Sequence, residues 1–264
     1  MVRNRDVDES SRQYRQAWAL MARRAPRGRV EALPGAVAAW SDVALPLLNS
    51  FFLTEPVADE ADLVRRVEAA QAYARLSEHH WLFVVCNDWL PEALRSRAAE
   101  LLARHGLAPA LDAVGMAALR LEPPRRPLPE LELRRVGDRE TRRAIADVNC
   151  RAYGLPLEWG REALDVEGWW DAPIHAWVGF VDGEPVATSA TLEVDGCRYV
   201  ALVATEEAHR RHGYAEAVMR RSLEDARRQG AGERTILHSS AAGHGLYRAM
   251  GYRDVATFTG YARS

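Results

Sequence analysis

A basic, glycine-bearing loop, RRHGYA at residues 210–215, stands between two runs of different periodicity. Upstream, YVALVA at residues 199–204 is short, apolar and rich in strand formers. Downstream, Ala215, Met219, Leu223 and Ala226 recur at helical spacing, with Val218 widening the face. A buried strand that passes through a tight loop into a helix fits few folds, and it also makes a binding feature. The first turn of a helix presents N–H groups without intrahelical partners at the positive end of the helix dipole. Gly213 lets backbone approach closely there and Ala215 keeps the first turn small, so the loop reads as a seat for phosphate. The helix is expected to end at Arg227 and Arg228, with Gly230 just beyond. A second apolar strand at residues 235–239 follows. Then come a short helix stopped by Gly251 within SSAAGHGLYRAMGY, residues 239–252, and a last strand at residues 255–261.

The order strand, Arg-x-x-Gly-x-Ala, helix, strand, Leu-Tyr-x-x-Met-Gly-Tyr resembles the acyl-CoA-binding core of the GNAT superfamily of N-acetyltransferases. Arg210, Gly213 and Ala215 stand where that superfamily has its pyrophosphate loop, and Tyr247 stands where many members carry the tyrosine that protonates coenzyme A. The resemblance implies that N–H groups of Arg211, His212, Gly213, Tyr214 and Ala215 hold the pyrophosphate, with Arg210 adding charge. It implies that Val203, Ala204 and Thr205 offer backbone groups to the thioester and the pantetheine arm, and that Ser239 and Ser240 hydrogen-bond that arm. Tyr247 would be the general acid. The implied activity is transfer of an acetyl group from acetyl-CoA, a co-substrate, to a primary amine by direct attack in a ternary complex. Cys197 is the cysteine to consider for an acyl-enzyme instead.

Some relatives place a glutamate on the strand before the loop, whereas residues 198–205 contain no carboxylate. Glu193, His238, Asp171 and the terminal carboxylate of Ser264 are therefore the candidate bases. The same gap leaves an alternative, an acyl-CoA-binding or sensing protein with little or no turnover. Tyr153 and Trp159 lie in the segment with which GNAT folds cover the acceptor, so they are candidates for contacting it. The acceptor itself, whether small molecule, peptide N-terminus or lysine, is left open.

Two Asp-Gly pairs, Asp182-Gly183 and Asp195-Gly196, are hairpin signals and predict an antiparallel meander of residues 174–181, 185–194 and 197–205. Before it come a strand at 131–136, a helix capped by Asp138 and running to 152, a turn-rich segment at 153–160 and a short helix at 162–168. The segment 122–130, EPPRRPLPE, reads as a stiff extended linker. The first half predicts a helix at 10–24, strands at 35–40 and 45–53 around a turn at Ser41-Asp42, and a helix carrying Leu63, Val67, Ala70 and Ala74. A strand at 81–86, a helix entered at Pro91 and ended at Gly106, and a strand at 113–121 follow. This order repeats that of the second half, and LLARHGL at 101–107 echoes LYRAMGY at 246–252. The expected fold is α/β with mixed sheets: two GNAT-like domains in tandem, a degenerate one at 1–122, a Pro/Arg linker at 123–129 and the acetyltransferase domain at 130–264. In the first copy Leu102 stands in the place of Tyr247, and TEPVADEADLV at 54–64 replaces the basic loop with acids that repel phosphate.

With 35 Lys and Arg against 37 Asp and Glu, the net charge of −2 argues against a general nucleic-acid binder. No apolar run is long enough for a membrane span and the first residues lack a signal core, so a soluble, cytoplasmic protein with no membrane partner is expected. Three scattered cysteines indicate neither a disulfide framework nor a zinc site, and two arginines lie between His209 and His212, so no metal is expected. A monomer and a homodimer both suit the sequence.

Overall fold

The computed structural model describes residues 4–75 and 77–263. In chain order the elements are α1 (Arg5–Arg24), β1 (Arg29–Leu33), β2 (Ala36–Trp40), β3 (Asn49–Leu53), α2 (Glu60–Ala74), β4 (Leu82–Cys86), α3 (Glu92–Arg95), α4 (Ala98–Arg104) and β5 (Leu107–Ala118). There follow β6 (Glu132–Arg135), α5 (Arg139–Tyr153), α6 (Leu157–Leu164), β7 (Ile174–Val181), β8 (Glu184–Val194), β9 (Cys197–Thr205), α7 (Tyr214–Arg228), β10 (Thr235–Ser239), α8 (Ala241–Ala249) and β11 (Arg253–Arg263). The chain divides into two compact units, one of residues 1–116, 239–244 and 254–264, the other of residues 117–238 and 245–253. Each combines helices with both parallel and antiparallel strands.

In the first unit the strand order is β1-β2-β3-β4-β11-β5. Neighbours β1 and β2, β2 and β3, and β4 and β11 are antiparallel, while β3 and β4 are parallel. β1 was not expected from the sequence, because as an edge strand it is exposed or half-buried throughout and shows no apolar alternation. The start of the expected 45–53 strand is instead a 3-10 turn, Pro46–Leu48, since a proline at its first position withholds the N–H a ladder needs. Tyr14 of α1 packs edge-on against Trp18 and Phe52, with ring centroids 4.8 and 5.0 Å away. The C-terminal strand β11 also belongs here, with Phe258 opposite Cys86 and Tyr261 opposite Phe83. The sequence-based boundary that kept residues 130–264 together differs at this point, because strand pairing over that distance leaves no local trace.

The second unit has the order β10-β9-β8-β7-β6, antiparallel except for β9 beside β10. Both Asp-Gly turns are present, with Asp182, Gly183, Asp195 and Gly196 all at positive φ. Asp138 caps α5, accepting from Thr141 N–H at 2.8 Å. The segment expected to be turn-rich contains α6, entered through Pro156, in place of a helix at 162–168. The tryptophans nearby are structural: Trp169 and Trp170 are buried against each other at 4.5 Å. The proline-rich segment is fastened rather than free, with Glu122 N–H on Met250 O at 2.9 Å and Arg126 on Arg211 O at 3.0 Å.

Helices α5 and α7 cover opposite faces of this sheet. Ser189 and Thr191 on β8 meet Ser222 of α7 at 3.0 and 2.9 Å, while Thr188 accepts from Asn149 of α5 at 3.0 Å. Because successive side chains on a strand alternate, every neighbour on β8 and β9 is then assigned to one face.

Candidate active site

The site begins where β9 leaves β10. The two strands pair in parallel only from Arg198↔Thr235 to Val200↔Leu237. Just beyond, β9 bulges against β8: Thr188 faces Ala204 and Ala190 faces Ala201, so β9 holds an extra residue between them. Leu202 in the bulge has φ +52°, a conformation costly for a bulky side chain, by about 1–3 kcal/mol. Its carbonyl accepts from the Thr188 hydroxyl at 2.8 Å. Downstream, Glu206 N–H reaches Val186 O at 2.9 Å, so strand alternation turns Ala204 toward β8 and the peptide groups of Val203 and Thr205 away from it. The first three predicted contacts, Val203, Ala204 and Thr205, thus divide into two that face the gap and one that faces β8.

After Thr205 a 3-10 turn, Glu207–His209, leads into the basic loop. Arg210 donates weakly to Thr205 O at 3.4 Å, and Arg211 and Gly213 both have left-handed backbone, φ +66° and +88°. Gly213 occupies the N-cap of α7 and has no side chain to cap it; the first intrahelical bond runs from Ala217 N–H to Gly213 O. The N–H groups of Tyr214, Ala215 and Glu216 are therefore left for an external acceptor. Arg210, Arg211 and His212 are exposed around them, and the His212 ring stacks on Tyr214 at 5.7 Å. Converging donors, a helix dipole and local positive charge fit a phosphate group.

Tyr247 of α8 is 7% exposed, and its ring lies edge-on to Tyr252 at 6.0 Å. Its pKa is pushed well above the ordinary tyrosine value, chiefly by burial and further by nearby Tyr153 and Tyr252. The phenol is thus a proton carrier at neutral pH. Tyr153 ends α5, is 58% exposed, and adds to the upward push on the Tyr247 pKa. Trp159 lies on α6, half-buried. Ser239 and Ser240 group with the first unit, where the buried Ser239 hydroxyl donates to Ser240 O at 2.7 Å.

The two principal candidate bases lie on opposite faces. Glu193 shares the face of Thr191 with α7 and pairs with Arg198 at the hairpin end of the sheet. Its carboxylate meets His175 Nε2 at 2.6 Å, inside a cluster where Asp225 accepts from Trp177 at 3.1 Å. Four residues of strand, roughly 13 Å, separate its partner Arg198 from the bulge. Glu193 is therefore a buttress for His175 and not a neighbour of the strand gap. His238 sits one residue past the last β9–β10 pair, and its Nδ1 is 2.9 Å from the hydroxyl of Tyr199, on the α5 face. Burial lowers its pKa well below the usual histidine value, so the ring is neutral at pH 7, and the same burial makes it a weaker proton acceptor than a solvated imidazole. Asp171 is exposed in the turn before Ile174, which pairs with Leu192 far from the bulge. Ser264 lies outside the described residues. Cys197 is buried and pairs with Val194 at the hairpin end.

At the start of α2 carboxylates, not a glycine, stand at the cap. At α2, Asp59 accepts Asp62 N–H at 2.8 Å and Asp62 accepts Ala58 N–H at 3.0 Å. Arg66, 4% exposed, spends its guanidinium on Gly35 O, Glu55 O, Pro56 O and Asp62 at 3.1, 2.8, 3.1 and 2.6 Å. Among the described residues there is no group of three or more His, Cys, Asp and Glu suited to a metal ion, and no helix is long and apolar enough to cross a membrane.

Residues 142–252, which span this site from α5 to Tyr252, match the model of the Acetyltransferase (GNAT) family. The chain is similar in fold to a GCN5-related N-acetyltransferase from Kribbella flavida, with a TM-score of 0.70 at 20% identity over 96% of this chain and 95% of that one. A GCN5-related N-acetyltransferase from Sphaerobacter thermophilus gives a TM-score of 0.56 at 18% identity over 86% and 76%. A conserved protein of unknown function from Staphylococcus epidermidis gives 0.56 at 13% identity over 81% and 84%. No curated protein sequence matches. At such identities the likeness is one of fold, and the family match covers residues 142–252, less than half of the chain. Sequence reasoning missed the Leu202 bulge and Asn149; a leucine carries no mark of left-handed backbone, and an asparagine inside a helix carries none of its partners.

Proposed function

We propose that the second unit is an N-acetyltransferase that moves an acetyl group from acetyl-CoA to a primary amine by direct attack in a ternary complex. The observation that carries this is the parting of β9 from β10 at the Leu202 bulge, followed within one loop by the uncapped N-terminus of α7. In this reading Tyr214, Ala215 and Glu216 give N–H groups to the pyrophosphate, with Gly213 allowing the approach and Arg210, Arg211 and His212 adding charge. Val203 turns an N–H toward the thioester carbonyl, whose oxygen becomes negative as the C–N bond forms; such a donor contributes about 3 kcal/mol. His238 takes the proton that the amine nitrogen sheds. Tyr247 gives a proton to the sulfur as the C–S bond breaks, its raised pKa keeping that proton in place until then. Tyr153 and Trp159 border the acceptor. The first unit serves as a degenerate GNAT-like copy without cofactor.

A second reading, acyl-CoA binding or sensing without turnover, is favoured by the lack of any carboxylate on 198–205 and by Glu193 facing α7. Calorimetry with coenzyme A and thiol release from acetyl-CoA over a panel of amines separate the two. Binding with amine-dependent release supports transfer, binding without it supports sensing, and no binding refutes both.

A further inference from the structure

Asn149 is 6% exposed, one turn before the end of α5, and its amide hydrogens are both committed. Nδ2 donates to Ile145 O at 2.8 Å and to Thr188 Oγ1 at 3.0 Å. The contact with Ile145 O fixes the orientation of the amide, because an oxygen turned to that place would face another oxygen. Thr188, its hydroxyl occupied by that donor, passes its own hydrogen to Leu202 O at 2.8 Å. The relay therefore runs from α5 through β8 to the strained bulge, and it leaves Asn149 Oδ1 buried with no hydrogen-bond partner. A buried carbonyl oxygen without a donor is costly and rare. One helical turn on, at the spacing that puts two side chains on one helix face, stands Tyr153, whose phenol bears on the Tyr247 pKa.

We propose that Asn149 Oδ1 accepts an N–H from the acceptor amine and makes the site selective for amines over alcohols. This rests on the acetyltransferase reading above. A primary amine brings two hydrogens and a lone pair. One hydrogen satisfies Oδ1, the lone pair attacks the thioester carbon, and the hydrogen shed after attack goes to the base. An alcohol brings a single hydrogen and cannot supply both Oδ1 and the base, so with an alcohol bound the buried oxygen stays unpaired. The resulting preference is about tenfold to a hundredfold. Through Thr188 the same relay fastens the bulge whose next residue, Val203, faces the gap.

The test uses the full chain, with tyramine, 1,4-diaminobutane, glucosamine and a lysine-bearing peptide as amines. Tyrosol and 1,4-butanediol serve as matched alcohols. Asn149→Ala is expected to raise KM for the accepted amine about tenfold and to shrink the amine-to-alcohol preference, with the Kd for coenzyme A within about twofold of wild type. Asn149→Asp, which restores an acceptor oxygen, recovers part of the amine KM. Should the alanine variant not fold, a crystal of the wild-type chain with coenzyme A and the accepted amine decides, by whether the amine nitrogen lies within hydrogen-bond distance of Oδ1. An unchanged amine KM overturns the role of Asn149 and leaves acetyl transfer standing. A loss of coenzyme A affinity alone assigns the N–H to the pantetheine and overturns the amine contact. Coenzyme A binding with no amine acetylated overturns both.

Discussion

Substituting Gly213 by alanine separates a turn glycine from a binding glycine. At φ +88° an L-residue is strained by about 1–2 kcal/mol, and the added Cβ would lie 3.3 Å from Pro129 Cδ, so proline or loop must give slightly. At 2–4 °C per kcal/mol for a domain of this size, Tm should fall by about 2–8 °C. Gly196 supplies the control: φ is +72°, and nothing lies within 4 Å of an added Cβ. Gly196→Ala should lower Tm similarly while leaving the loop untouched. Strain at Gly213 relaxes by rotating the peptides on either side, which spoils the convergence of the α7 N–H groups. Losing one charge-assisted bond of about 1.5–3 kcal/mol weakens coenzyme A roughly tenfold to a hundredfold. Calorimetry with coenzyme A, beside thermal unfolding of both variants without it, reads the two effects apart. If Gly213→Ala binds coenzyme A as tightly as Gly196→Ala does, the glycine only turns the chain and the phosphate seat is misplaced.

Tyr247→Phe should lower turnover about a hundredfold with coenzyme A affinity within twofold, since a positioned general acid contributes at least that much; an unchanged rate removes Tyr247 from proton transfer. His238 is held neutral by burial, so the unfolded chain takes up a proton near pH 6.5 while the folded chain does not until its own lower pKa is passed. Stability should thus fall as pH drops below 6.5, by at most about 1.4 kcal/mol per unit, with no contribution from this group above that pH. Denaturant melts of His238→Gln should show a flatter acid limb, and the acid limb of kcat/KM should change with it. Arg66→Met takes the donor from the Glu55 and Pro56 carbonyls, while Gly35 O keeps Thr54 N–H and Asp62 keeps Ala58 N–H and Arg65, and should cost about 1–3 kcal/mol in denaturant unfolding while leaving the coenzyme A Kd unchanged.

What was legible in the sequence was local. Asp138 announces a helix start because its carboxylate reaches an N–H three residues on, and Asp195-Gly196 announces a hairpin because few other pairs tolerate that backbone. The basic loop is legible for the same reason: strand, glycine and helix follow within a few residues. Placement on a face is different in kind. Glu193 and His238 looked equivalent in one dimension, and only the register, Glu193 opposite Arg198 and His238 one step past Leu237, shows that they look out from opposite sides of the sheet. The Thr188–Leu202 bond and the pairing of β11 with β4 are likewise contacts between residues whose own types give no hint of each other.

Among the described residues, α2 after β3 and α7 after β9 each follow a strand that pairs in parallel with the strand after the helix. Backbone alone would give both the same affinity for an anion, because the dipole and the free N–H groups come with any helix start. Side chains decide between them. At α2, Asp59 fills one donor and Asp62 another, and two carboxylates there repel a third negative group. Removing Asp59 would free one N–H, while Ala58 N–H stays with Asp62, whose carboxylate is held at the helix start by Arg66 and Arg65. At α7 the cap is a glycine with no side chain to accept an N–H, and the charges around it are positive and exposed. The proposed preference of the cofactor for the second unit rests on what stands at the N-cap, a carboxylate in the first and no side chain in the second.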